Sequence, residues 1–232
     1  MIPLSVITSL SAVMMPRIAN EFAKNNGKNE IERHLVLAGQ YSMFMACPMM
    51  FGMMVVAQQF IPWYLGAEYY PTATALIILS PILILNSLAG ISGSQYLVAT
   101  NQTKVLLFSS IGAALLNVMC NALLIPKLDC IGAAIATVVA NLINVIIQYS
   151  VMCKQINMKP VFVSSIRYFV VAFCMGAIIR VTTVVCGLTA SVISTLIQVI
   201  IGVVVYLLVM MILCDKVLIK GVDMIINKAK RK

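Results

Sequence analysis

The chain has 232 residues, of which 62% are apolar and 10% charged, with a mean hydropathy of +1.03. So little polar surface excludes a water-soluble globule, in which about a quarter of the residues would be charged. The net charge of +9 would suggest nucleic acid in a soluble chain. Here the basic residues border apolar runs, where they set topology and meet anionic lipid, and no nucleic-acid partner is expected.

Residues 2–15 are apolar but span about 21 Å as a helix, too short to cross a bilayer unaided. They lack the basic start and small-residue cleavage site of a signal peptide, so they read as the inner end of a partial first span. The chain is accordingly expected to be the carboxyl-terminal part of a longer membrane protein. A polar stretch follows over 17–33, with Arg17, Lys24, Lys28 and Arg33 around Asn25-Asn26-Gly27, and reads as a solvated cytoplasmic connection.

Six apolar runs then succeed one another at 35–57, 72–99, 105–125, 131–153, 162–185 and 188–213. Each is long enough to cross a hydrocarbon core of about 30 Å as a helix. Lys104 lies between the second and third runs, Lys154, Lys159 and Arg167 lie around the start of the fifth, and 216–232 is lysine-rich. The positive-inside rule puts these connections in the cytoplasm. The connection 58–71 holds Trp63, Tyr64, Tyr69 and Tyr70, an aromatic belt for the outer interface. Residues 126–130 and 186–187 read as tight outer turns. In the tail, Leu218, Val222, Ile225 and Ile226 oppose Lys216, Lys220, Asp223, Asn227 and Lys230, the pattern of an interfacial helix.

The predicted fold class is therefore all-α, a polytopic transmembrane helical bundle of six full spans plus a partial first span. The bundle covers 1–213, and 214–232 forms a basic, amphipathic cytoplasmic tail. The protein is placed in the cell membrane, multi-pass, with membrane lipid as a partner.

Within the spans, polar residues recur at helical spacing. Thr137, Asn141, Asn144 and Gln148 share one face of the fourth run, Ser110, Asn117 and Asn121 share one face of the third, and Asn86 aligns with Gly90 and Gly93 in the second. Pro81 must bend or break that second helix. Two readings of the stripes stand: interhelical glue, or the lining of a cavity in which neutral amides meet hydroxyl-rich ligands without burying a charge. Arg180, inside the fifth run, either snorkels to the interface or binds a phosphate through two hydrogen bonds. The seven acidic residues stand outside the spans, and the seven cysteines form no C-x-x-C pair. No catalytic residue, metal site or cofactor is expected, nor a disulfide.

The segment 117–137, NVMCNALLIPKLDCIGAAIAT, resembles the paired helices of polysaccharide-export and lipid-linked oligosaccharide flippases, whose second helix begins G-A-A-I-A-T. Met15-Pro16-Arg17-Ile18 and Gly66-Ala67-Glu68-Tyr69 are similar to two further family motifs. The likeness runs from Ser5 to about Leu213. It implies the fold of the multidrug, oligosaccharidyl-lipid and polysaccharide exporter superfamily, two lobes of helices around a cavity that opens to each side in turn. This chain corresponds to the second lobe, with a missing amino-terminal lobe as an expected partner.

The implied function is transport, not enzymatic catalysis. An undecaprenyl-pyrophosphate-linked oligosaccharide would cross the membrane for surface polysaccharide assembly, such as lipopolysaccharide or capsule. Asn86, Asn117, Asn121, Asn141, Asn144 and Gln148 are candidates for the cavity, and Arg17 and Arg180 for phosphate. A multidrug or cation antiporter of the same superfamily is the alternative, although no span carries a carboxylate for coupling. A polysaccharide polymerase or ligase is another. It would be expected to show a long outer loop with Arg and His, and the longest here, 58–71, has neither.

Overall fold

The computed structural model describes residues 28–215 and 217–219. The partial first span, Arg17 and most of the basic tail lie outside the described residues. Those described form helices, with no strand among them. The order is α1 (Lys28–Tyr64), a 3-10 turn (Ala67–Tyr69), α2 (Tyr70–Leu79), α3 (Ile82–Ala89), a π-helix (Gly90–Leu97), α4 (Thr103–Met152), α5 (Lys159–Val185) and α6 (Val192–Ile212). Five stretches, Ile31–Tyr64, Ala67–Leu97, Thr103–Met152, Lys159–Val185 and Val192–Ile212, are long and apolar enough to cross a membrane.

Helix α1 is longer than the run that predicts it. Lys28–Arg33 is helical, not a linker, and residues 58–64 continue the helix where a loop is expected. At the first end, Ile31 and Leu35 are buried, so the amphipathic pattern already begins inside the polar stretch. At the second, Pro62 stands one turn from the terminus, and the chain turns at Gly66 with φ of 105°, a left-handed geometry that glycine adopts without a Cβ clash.

The predicted break at Pro81 is present. Helix α2 ends at Leu79, and α3 starts at Ile82 with Pro81 as its N-cap. A proline ring has no N–H to continue the ladder and clashes with the preceding turn.

Helix α4 would extend about 75 Å if straight, more than twice the hydrocarbon thickness. It does not: the backbone reverses at Asp129, where φ is 48° and ψ is −127°. The limbs 103–128 and 130–152 run antiparallel, so the turn expected over 126–130 is concentrated in a single non-helical residue. The limbs meet closely at the turn. A Cβ built on Gly132 would lie 2.5 Å from the Leu124 carbonyl oxygen.

Helix α1 sits between two apolar cores. One packs Phe44, Cys47, Met50 and Phe51 of α1 against Tyr168, Ala172 and Met175 of α5 and Tyr206 and Met210 of α6. The other joins Ile31 and Leu35 to Ile91, Tyr96 and Leu97 of the π-helix and to Tyr149, Met152 and Val161. Ala38 and Ala46 of α1 are fully buried, and small residues of this kind let membrane helices approach closely. The outward faces are strongly apolar, for example Phe108, Leu115 and Leu123 on α4 and Ile193, Ile200 and Ile212 on α6. Such faces suit lipid and not water.

Where α5 and α6 meet the tail, Arg167 pairs with Asp215, whose carboxylate also accepts from the Tyr168 hydroxyl and the Val217 amide (2.9 Å). Asp215 is buried and Arg167 is 42% exposed. The two partners should therefore respond unequally to removal. Arg167→Ala leaves a buried carboxylate short of its cation and should cost about 1.5–3 kcal/mol. Asp215→Asn leaves a guanidinium that reaches water and should cost less than about 1 kcal/mol. Thermal unfolding of both variants in detergent checks the order, and equal losses would refute it.

Candidate functional site

The structure brings most of the predicted amides together on the α4 hairpin. Asn121 Nδ2 donates to Asn117 Oδ1 (2.8 Å) within the first limb. Asn117 Nδ2 reaches across to the Thr137 hydroxyl at 3.5 Å, a weak contact. In the second limb, Thr137 donates to the Ala133 carbonyl (2.8 Å) and Asn141 Nδ2 to the Thr137 carbonyl (2.9 Å). The i, i+4 spacing puts these groups one above another, and the antiparallel reversal at Asp129 sets one stripe beside the other.

Gln148 ends this ladder differently. Its side chain is 1% exposed, with Nε2 donating to Asn144 Oδ1 (3.0 Å) and to Ser109 Oγ (3.2 Å). Its Oε1 accepts from the Ser92 hydroxyl (2.9 Å). One amide thus joins both limbs of α4 to the π-helix. Gly93 keeps the approach open, because a Cβ there would lie 3.1 Å from Gln148 Oε1 and 3.0 Å from Leu106.

Asn117, Asn121, Asn141 and Asn144 are half-buried, and the Asn121 carbonyl oxygen is buried with no hydrogen-bond partner among the described residues. Asn141 spends its donor inside its own helix, which leaves its carbonyl oxygen unbonded among the described residues. Asn86, on α3, is half-buried and takes no part in these bonds.

Arg180 takes no part in these bonds among the described residues. It is exposed on α5, where Nη1 donates to Gln58 Oε1 of α1 (2.5 Å). Beside it, Gln198 of α6 donates to Gln59 and to the Thr183 hydroxyl (2.8 Å), Gln59 donates to the Leu188 carbonyl (3.1 Å), and Trp63 donates to Thr195 (2.9 Å). The amide ladder and this Gln-Arg-Trp cluster are separate sites. Arg17 lies outside the described residues.

Two contributors escaped the sequence reading. Ser110, expected on the stripe, is exposed, and its neighbour Ser109 is the buried residue that meets Gln148. Ser109 continues the i, i+4 row of Ala113, Asn117 and Asn121, a periodicity that would have distinguished the two serines. Ser92 had no such signal, because the π-helix shifts its direction away from that of an α-helix.

The family model described as lipid II flippase MurJ matches residues 1–199. The probable low-salt glycan biosynthesis flippase Agl15 of Haloferax volcanii is 24% identical over 196 residues, 84% of this chain and 40% of that protein. A solved structure of lipid II flippase MurJ in an inward closed conformation superposes with a TM-score of 0.71 at 24% identity, covering 89% of this chain and 43% of that one. The chain thus spans about two fifths of the length of the relatives it matches. With a family model covering most of its residues and the same helical fold, the chain belongs to the lipid II flippase MurJ family.

Proposed function

We propose that this chain forms one lobe of a transporter that moves a lipid-linked oligosaccharide, carried on a polyprenyl pyrophosphate such as undecaprenyl pyrophosphate, from the inner to the outer leaflet. The match of residues 1–199 to the flippase family carries the reading. A glycan headgroup is too polar to cross hydrocarbon, and a flippase shields it in a hydrated cleft while the lipid tail stays in the bilayer. No bond of the substrate is broken, so no catalytic residue is needed. A second lobe, on the same polypeptide or another, would close the cleft.

In this reading the half-buried amides Asn117, Asn121, Asn141 and Asn144 supply uncharged donors and acceptors to sugar hydroxyls. Gln148 holds the hairpin that presents them. Asn86 and Arg180 are secondary candidates, for sugar and for phosphate respectively. The bundle over 1–213 lies in the cell membrane, and the basic tail faces the cytoplasm.

The test is transport of a fluorescent undecaprenyl-pyrophosphate-linked oligosaccharide in proteoliposomes by the two-lobed transporter. Asn141→Leu should reduce transport at least tenfold while leaving the unfolding midpoint nearly unchanged, because the lost donor served only its own helix. Parallel losses of stability and transport would remove Asn141 from the cavity. Proton-driven cation exchange with no movement of the lipid-linked sugar would replace the whole reading with the antiporter.

A further inference from the structure

The segment between α2 and α4 is a jointed rod. Helix α3 is eight residues long, with the Ser80-Pro81 break before it and the eight-residue π-helix Gly90–Leu97 after it. At the end of the π-helix the Val98 amide bonds the Gly93 carbonyl (3.1 Å), one residue out of α-register; the Thr100 amide returns to α-register on the Tyr96 carbonyl (2.9 Å), and in the turn beyond, the Gln102 amide bonds the Leu97 carbonyl (2.7 Å). π-helices are rare, usually a single turn, and frequent at functional sites.

The same segment holds polar groups that this arrangement does not satisfy. Gln95 is fully buried, and neither Nε2 nor Oε1 has a hydrogen-bond partner among the described residues. The Ser87 hydroxyl, on α3, is likewise buried and without a partner among the described residues. One turn before Gln95, by contrast, Ser92 is bonded to Gln148. A buried amide with four unmet hydrogen-bonding positions disfavours the state that contains it. Water, the ordinary remedy, is scarce in hydrocarbon.

We propose that Gly90–Leu97 is a two-state joint. Conversion of its ladder from π to α register turns α3 relative to the rest of the chain by about 100° for each residue taken up. That rotation swings Gln95 out of the apolar core beside Ile91 and Leu97, and Pro81 absorbs the motion at the other end of α3. The unpaired amide is the bias: it raises the free energy of the π state and so keeps the alternative within reach. Transporters need elements with two discrete arrangements.

The test uses the purified chain in lipid nanodiscs, comparing Gln95→Leu with wild type. Leucine fills a similar volume without unmet donors, so it should hold the π state. The expected results are an unfolding midpoint higher by about 2–4 °C and backbone amide exchange over 94–102 slowed about tenfold, with exchange in α6 unchanged. A lower midpoint would show that the amide is structurally satisfied and would overturn the proposal. An unchanged midpoint would overturn it by removing the bias, and a higher midpoint with unchanged exchange would reduce the effect to packing. Gln95→Met is the second variant, and failure of both to fold would also overturn the proposal.

Discussion

Gly132→Leu is expected to be the most damaging single replacement in the hairpin. Its Cβ would stand 2.5 Å from the Leu124 carbonyl oxygen, an obstacle on the backbone that cannot swing aside as a side chain can. Overpacking costs about 1–3 kcal/mol when side chains give way, and this case belongs at or above the upper end. For a chain of this size the unfolding midpoint should fall by about 6–12 °C. Gly112→Leu, on the first limb with nothing within 4 Å of its Cβ, is the control and should change stability by less than about 0.5 kcal/mol. Comparable losses at the two positions would mean that the limbs do not approach closely at the turn.

Gln148→Leu should have the next largest effect, because it removes three hydrogen bonds at once, to Asn144, Ser109 and Ser92. The bonds to Ser109 and Ser92 are interhelical, a class that averages about 0.6 kcal/mol and reaches about 1.7, and the i, i+4 bond to Asn144 adds about 0.2–0.5, so the sum is about 1.5–4 kcal/mol. Asn144→Leu removes only the i, i+4 bond within the second limb and should cost less than about 0.5 kcal/mol. The two serines soften the loss, since each hydroxyl also lies within hydrogen-bond distance of its own helix, Ser92 of the Leu88 carbonyl (3.1 Å) and Ser109 of the Leu106 carbonyl (3.0 Å). Chemical or thermal unfolding in detergent, read as a double-mutant cycle with Ser109→Ala, measures the coupling directly. A Gln148 variant no less stable than the Asn144 variant would show that Gln148 is not the junction of the three segments.

These positions also show how much the sequence carries. Apolar run lengths, basic connections and Pro81 locate an all-helical membrane bundle and the break in its second long segment, because the bilayer leaves the backbone few alternatives. Helix ends are less legible. Lys28–Arg33 contains Glu30, Glu32 and Arg33 and looks like a linker by composition, yet Ile31 and Leu35 fall on one buried face and extend α1 through it. The amide stripes on 117–148 are visible as i, i+4 rows, but a row does not say what stands opposite it.

What the sequence by itself determined is the solvent: the runs of 35–57 to 188–213 must be helices in lipid, and the segment 117–137 carries the family likeness. Only the tertiary structure decided which polar residues are spent on holding helices together and which stay open. The reversal at Asp129 brings Ser109 and Gln148, 39 positions apart, into contact and leaves Ser110 outside. Arg180, the phosphate candidate, is bonded instead to Gln58 across α1 and α5. The physical reason is that periodicity fixes the direction of a side chain within one helix, whereas its partner depends on the turn geometry and crossing of helices distant in sequence.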